Sequence, residues 1–111
     1  MEKFVTGDIV VLPFPFSDLS DSKRRPAFVV RDLSGNDIIL CQITSRERDT
    51  RLSISLKQSD FESGSLPHDS FIKPYRIFTA DKKIIIRKAG KVNSLKSVEV
   101  INTIVSIVMG N

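Results

Sequence analysis

The apolar positions of this chain come in short runs separated by polar, turn-forming segments, a pattern that predicts strands rather than long helices. Gly7 to Phe16 begins as a β-rich apolar run and then meets Pro13 and Pro15, which cannot donate to a strand ladder, so a first strand is expected over about 8–14. The segment 17–25 is polar, rich in Ser and Asp, and closes on Lys23, Arg24 and Arg25; it reads as an exposed loop. Pro26 to Val30 resumes as a strand, 33–37 is a Ser-Gly-Asn-Asp hairpin turn, and 38–43 is the returning strand. After the wholly polar stretch 44–51, residues 52–56 alternate with period two, as a half-buried strand does. Residues 57–69 read as a long connection, with further strands at 70–73 and 83–87.

The tail is apolar and β-branched, yet Val98, Ile101, Val105 and Val108 recur at three and four, with Glu99, Asn102, Thr103 and Ser106 on the other side. This spacing predicts a helix over about 95–109, with Ser94 as N-cap, Gly110 as terminator and the valine stripe as its core face. About six short strands in a chain of this size favour a compact antiparallel barrel, because closure removes exposed edges. The 111 residues have room for one domain. With no apolar run of signal or membrane-span length, a cytoplasmic protein with no membrane association is expected.

Composition narrows the chemistry. One His and one Cys exclude a zinc cluster, no Gly-x-x-x-x-Gly-Lys phosphate loop is present, and neither a metal nor another cofactor is expected. Cys41, inside the run Ile38 to Ile43, reads as a core residue. His68, beside Pro67 and without a neighbouring nucleophile, reads as a surface residue. Seventeen Lys and Arg against thirteen Asp and Glu give a net charge of +4, which suits a polyanionic partner without requiring one. The cations are clustered: Lys23, Arg24 and Arg25 end one polar segment, and Arg46, Arg48 and Arg51 populate another.

In a meander, the start of the second strand and the end of the third lie at one edge of the sheet, which makes Arg25 and Thr44 neighbours. A guanidinium presents donors in a fixed fork that matches a phosphate, and Thr44 and Ser45 add hydroxyl donors. Being followed by Pro26, Arg25 is biased to extended backbone, which fixes where its side chain leaves the chain. Phe14 is assigned to the core, and Phe16 to a loop position where it can stack a base. The same charges equally fit a solvated turn, with Arg46 to Arg51 paired to Glu47 and Asp49.

Gly7-Asp8-Ile9-Val10-Val11-Leu12-Pro13-Phe14-Pro15-Phe16, followed by Arg25-Pro26-Ala27-Phe28-Val29-Val30, resembles the MazF/PemK family of toxin endoribonucleases. Gln42-Ile43-Thr44-Ser45, Phe78-Thr79-Ala80-Asp81 and Ala89-Gly90-Lys91-Val92 extend the resemblance over nearly the whole chain. It implies a mainly β protein, an SH3-like antiparallel barrel with a C-terminal helix. It also implies a homodimer that cleaves single-stranded RNA without a metal and is neutralised by a cognate antitoxin. Carried over by residue, the catalytic positions fall on Arg25 and Thr44, with Ser45 beside them; the clustered cations Lys23, Arg24, Arg46 and Arg48 and the loop residue Phe16 are the expected RNA contacts on the reading of the residues themselves. Cleavage by the ribose 2′-hydroxyl, leaving a 2′,3′-cyclic phosphate and a 5′-hydroxyl, is the implied reaction.

One segment departs from the family. Plasmid-borne PemK relatives carry Arg-x-Asp-Gln, with the acid proposed as general base, where this chain has Lys73-Pro74-Tyr75-Arg76. A phenol that titrates near pH ~10 is a poor base at neutral pH. Tyr75 can instead stack a base while Lys73 and Arg76 hold phosphates. Two other readings stay open: a catalytically silent RNA-binding module, and a gyrase-targeting toxin on the same fold. Gyrase poisons resemble one another in a terminal Trp-Gly-Ile, whereas this chain has no Trp and ends Val108-Met109-Gly110-Asn111.

Overall fold

The computed structural model describes residues 3–14, 23–46 and 51–111. They form seven strands and one helix: β1 (Asp8–Phe14), β2 (Lys23–Asp32), β3 (Asp37–Thr44), β4 (Ile54–Leu56), β5 (Phe61–Gly64), β6 (Ser70–Asp81), β7 (Arg87–Val92) and α1 (Ser94–Met109). All pairings are antiparallel, in the order β4-β6-β3-β2-β1-β7-β5, and the sheet curls into a half-barrel carrying the C-terminal helix. The barrel expected from the sequence is thus present in form. Its two ends, β4 and β5, are short strands of three and four residues, which limits unpaired edge. Lys96 of α1 also donates to the Ser55 carbonyl at 3.0 Å, which occupies one exposed acceptor of the β4 edge.

The central strands are buried on both faces, which is why they read as continuous apolar runs. Ile9, Phe28, Cys41, Ile43 and Ile72 face one core, completed by Val92 and by Val100 and Ile104 of α1. Val10, Leu12, Phe14, Ala27, Val29, Ile38 and Leu40 face a second core with Phe4. Phe14 meets Phe78 edge-on at 5.2 Å, as the core assignment requires. Cys41 is fully buried, and burial pushes its thiol up to about 12.

Four expectations need correction. Lys23, Arg24 and Arg25 do not lie in a loop but open β2, opposite Phe14, Pro13 and Leu12. Pairing with an apolar strand outweighs the local polarity of the segment. The strand expected at 83–87 is instead a 3-10 turn at Lys82–Ile84, capped by Asp81, whose carboxylate accepts from the Lys83 N–H, and the strand runs over 87–92. In α1 the buried residues are Val100 and Ile104, while Val98, Val105 and Val108 are exposed. The helix is apolar around most of its circumference, so spacing alone allowed two core faces. Its N-cap is Asn93 rather than Ser94, with Asn93 Oδ1 accepting from the Lys96 N–H at 2.8 Å, and Gly110 ends it in the left-handed conformation at φ 82°. Among the described residues no helix is long and apolar enough to cross a membrane.

Asp32 ties together three distant parts of the chain. Its carboxylate accepts from the Phe4 N–H at 2.9 Å and the Ser34 N–H at 2.8 Å, and it forms an ion pair with Lys82. The Lys82 ammonium and these backbone donors hold its carboxyl down at about 2. Because the folded value is depressed, this stabilisation is present above about pH 4 and is lost as the pH falls toward 2. Asp32→Asn should lower stability at neutral pH by about 1–3 kcal/mol and flatten the fall in melting temperature between about pH 4 and 2, measured by circular dichroism. At the β5–β7 contact, a Cβ on Gly64 (φ +72°) would lie 2.2 Å from the Ala89 carbonyl oxygen. Gly64→Ala should therefore destabilise by about 2 kcal/mol or more in urea unfolding, while Gly35→Ala, with open space around it, should change little.

Candidate active site

The register of β2 with β1 and β3 places the candidate side chains. Ala27 pairs with Gln42, and the β2–β3 ladder ends there. The next residue of β2 is Pro26, which has no N–H to offer β3. Beyond that point the two strands carry Arg25 and Thr44. Side chains two residues apart share a face, so Arg25 lies on the face of Ala27 and Thr44 on that of Gln42. Across the sheet this gives a row of Leu12, Arg25, Thr44 and Phe71, beside a row of Val10, Ala27, Gln42 and Lys73.

A cleft of about 390 Å³ opens where the ladder stops. One side is Lys23, Arg24, Arg25 and Pro26 of β2; the other is Ile43 and Thr44 of β3 with Ser45 and Arg46 beyond it. The structure therefore brings together six of the residues singled out from the sequence. Arg25 is half-buried, whereas Lys23, Arg24 and Arg46 are exposed. Among the described residues none of these four cations is paired with a carboxylate. The Thr44 hydroxyl is engaged locally: it donates to the Arg46 carbonyl and accepts from the Arg46 N–H, each at 3.1 Å. That double bond to one residue shapes the turn carrying Ser45 and Arg46.

Lys73, Tyr75 and Arg76 form a separate cluster outside the cleft lining. One step along β3, from Cys41 to Gln42, is matched by four along β6, from Ile77 to Lys73, so Pro74, Tyr75 and Arg76 make a bulge. A bulge is a place in a sheet that tolerates a proline. Lys73 Nζ donates to the Tyr75 hydroxyl at 3.1 Å and lies 5.6 Å from the ring centroid; the Arg76 guanidinium lies 5.9 Å from it. Phe16 and Arg48 lie outside the described residues.

Sequence reasoning missed the third wall of the cleft: Leu66, Pro67, His68 and Ser70. Leu66 and Ser70 are buried and anchor the segment, and Ser70 Oγ donates to the His68 carbonyl at 3.0 Å. His68 sits between these anchors and is exposed in the cleft wall. Nothing in local sequence signals this, because the segment reaches Arg25 and Thr44 only through the pairing of β6 with β3. Among the described residues no group of three or more His, Cys, Asp or Glu is placed to hold a metal ion.

The fold has close counterparts among solved structures. A mycobacterial endoribonuclease in complex with its cognate antitoxin superposes with a TM-score of 0.73 at 16% identity, covering 97% of this chain and 96% of that one. MazF in a MazE–MazF structure from Deinococcus radiodurans gives 0.71 at 18%, covering 93% and 92%. The Mycobacterium tuberculosis toxin MazF-mt6 gives 0.71 at 11%, covering 93% and 96%. At these identities the likeness is one of fold. No curated protein sequence matches the chain. The family described as PemK-like, MazF-like toxin of type II toxin–antitoxin systems matches residues 6–108, spanning every strand and nearly all of α1, and the chain belongs to that family.

Proposed function

We propose that this chain is a single-domain, cytoplasmic endoribonuclease that cuts single-stranded RNA, mRNA included, at short specific sequences without a metal or other cofactor. The observation that carries the reading is the cleft itself: Lys23, Arg24, Arg25 and Arg46 all line it, without a carboxylate partner among the described residues. Such a site favours a polyanion, and a half-buried guanidinium offers a bidentate fork where a phosphorane builds charge. Family membership and the endoribonuclease neighbours support the same reaction class.

In this reading Arg25 stabilises the charge that develops as the ribose 2′-oxygen attacks the adjacent phosphorus. The products are a 2′,3′-cyclic phosphate and a 5′-hydroxyl. Thr44 shapes the turn that presents Ser45 and Arg46 to the phosphate. Lys23 and Arg24, with Phe16 and Arg48, hold flanking nucleotides. The Lys73–Tyr75–Arg76 cluster, one row away on β6, offers an aromatic ring between two cations for a further nucleotide. Solved neighbours include an endoribonuclease in complex with its cognate antitoxin and MazE–MazF structures, which supports a cognate antitoxin as the protein partner. Homodimer formation is supported by the apolar outer face of α1, where Leu95, Val98, Val105, Val108 and Met109 are exposed.

Labelled single-stranded RNA incubated with purified protein in EDTA should be cut, and Arg25→Ala should slow cleavage by about 10²–10³-fold. Arg25→Lys should fail similarly, because an ammonium lacks the planar fork. An uncut RNA, or equal cutting by Arg25→Ala, overturns the reading; tight, strongly salt-dependent binding without cleavage would instead indicate an RNA-binding module. Val98→Asp with Val105→Asp should convert the dimer to monomer in analytical ultracentrifugation, and an unchanged dimer would place the interface elsewhere.

A further inference from the structure

RNA cleavage through the 2′-hydroxyl needs a group to accept that proton, and the polar walls of the cleft offer few. Lys23, Arg24, Arg25 and Arg46 are donors only, since an ammonium or guanidinium has no lone pair to receive a proton. The Thr44 hydroxyl is held by the backbone of Arg46, and the Ser70 hydroxyl is directed to the His68 carbonyl. Tyr75 lies outside the cleft lining, its hydroxyl oxygen occupied by Lys73. Among the described residues lining the cleft, His68 is the only side chain of a type that both accepts and releases a proton near neutral pH.

The backbone of the segment is anchored on both sides of His68. Leu66 is buried in the core beneath α1, and its N–H is directed to Gln58 Oε1 at 3.4 Å. Pro67 restricts the backbone immediately before His68. Ser70, 5% exposed, begins β6 opposite Leu56 and fastens the other side. Between these two anchors lies His68, an exposed residue that lines the same cleft as Arg25 and Thr44.

We propose that His68 is the general base of the RNA cleavage, an inference that rests on the ribonuclease reading above. Its neutral imidazole takes the proton of the ribose 2′-hydroxyl as the O2′–P bond forms. The P–O5′ bond breaks, the departing 5′-oxygen takes a proton from water, and the imidazolium returns its own proton to solvent. The charged groups facing His68 are Lys23, Arg24 and Arg25 from β2 and Arg46 after β3, with Asp69 adjacent on its own segment. The cations bind and stabilise the phosphate, and the histidine moves the proton.

The test compares single-turnover cleavage of a short single-stranded RNA by the wild type, His68→Gln, His68→Ala and Arg25→Ala across about pH 5–9, with binding measured in parallel on a 2′-deoxy analogue. Wild-type cleavage should rise with pH along an acid-side limb, because the base acts only in its unprotonated form. Both His68 variants should be slower by about 10²–10⁴-fold, lose that rising limb and bind the analogue within about threefold of wild type. Added imidazole should restore part of the His68→Ala rate and none of the Arg25→Ala rate. An RNA with a 5′-thio leaving group, which needs no protonation to depart, should leave the His68 defect in place.

Wild-type rate and pH profile in His68→Gln overturn the proposal while leaving the ribonuclease reading intact. Recovery of the variants on the 5′-thio substrate also overturns it, assigning His68 to the leaving group instead. A wild type that cuts no RNA removes both.

Discussion

A missing hydrogen-bond donor sets the geometry of the cleft lined by Arg25 and Thr44. Pro26 stands in β2, a strand flanked by β1 on one side and β3 on the other. Toward β1 the register runs past it, from Ile9–Phe28 to Phe14–Lys23, so β2 stays attached there. Toward β3 the ladder stops at Ala27–Gln42, and the cleft begins. An ordinary residue at 26 could extend the β3 pairing and close the space where Arg25 faces Thr44. Proline therefore does two things at once: it biases Arg25 to an extended backbone and prevents the strand from zipping shut beyond it.

The curl of the sheet then decides what surrounds that opening. Alternation along the strands sends consecutive residues such as Ile9 and Val10, or Leu40 and Cys41, into different cores, and register shifts in β1 against β7, β2 against β3 and β3 against β6 bend the sheet around them. A flat sheet could not bury both faces within so few residues. The largest shift, at Pro74 to Arg76, comes just after Lys73 leaves the Gln42 pairing, and it lifts Tyr75 and Arg76 out of the ladder. Bulges of this kind aim side chains that regular pairing would leave in line with their neighbours. Here the result is a cationic aromatic cluster beside the cleft rather than within it.

Much of this was legible before any coordinates. β1 and β3 form where apolar runs and turn residues place them. The juxtaposition of Arg25 with Thr44 follows from the meander alone. What the chain did not disclose depends on distant partners. Lys23 to Arg25 look like loop until Leu12, Pro13 and Phe14 are set beside them as a strand partner. Val98 and Val105 look like core until Val100 and Ile104 are found on the side that meets the sheet. His68 looked isolated because Arg25 is more than forty residues away in sequence and adjacent only through β3 and β6.

The three consecutive cations at the start of β2 are chemically alike, and the strand makes them different. With a period of two, Lys23 and Arg25 point to one face and Arg24 to the other. Lys23 and Arg24 are exposed, so water and salt screen them, and their contribution is the attraction of a polyanion over several ångströms. Arg25 is half-buried against Leu12 and the cleft wall, where fewer waters compete for its donors. A hydrogen bond to a developing charge is worth more in such surroundings than at the rim. In the proposed reaction, exposure would thus separate binding from chemistry within three adjacent residues, and the difference in exposure follows from the pairing of β2 with β1 rather than from residue type.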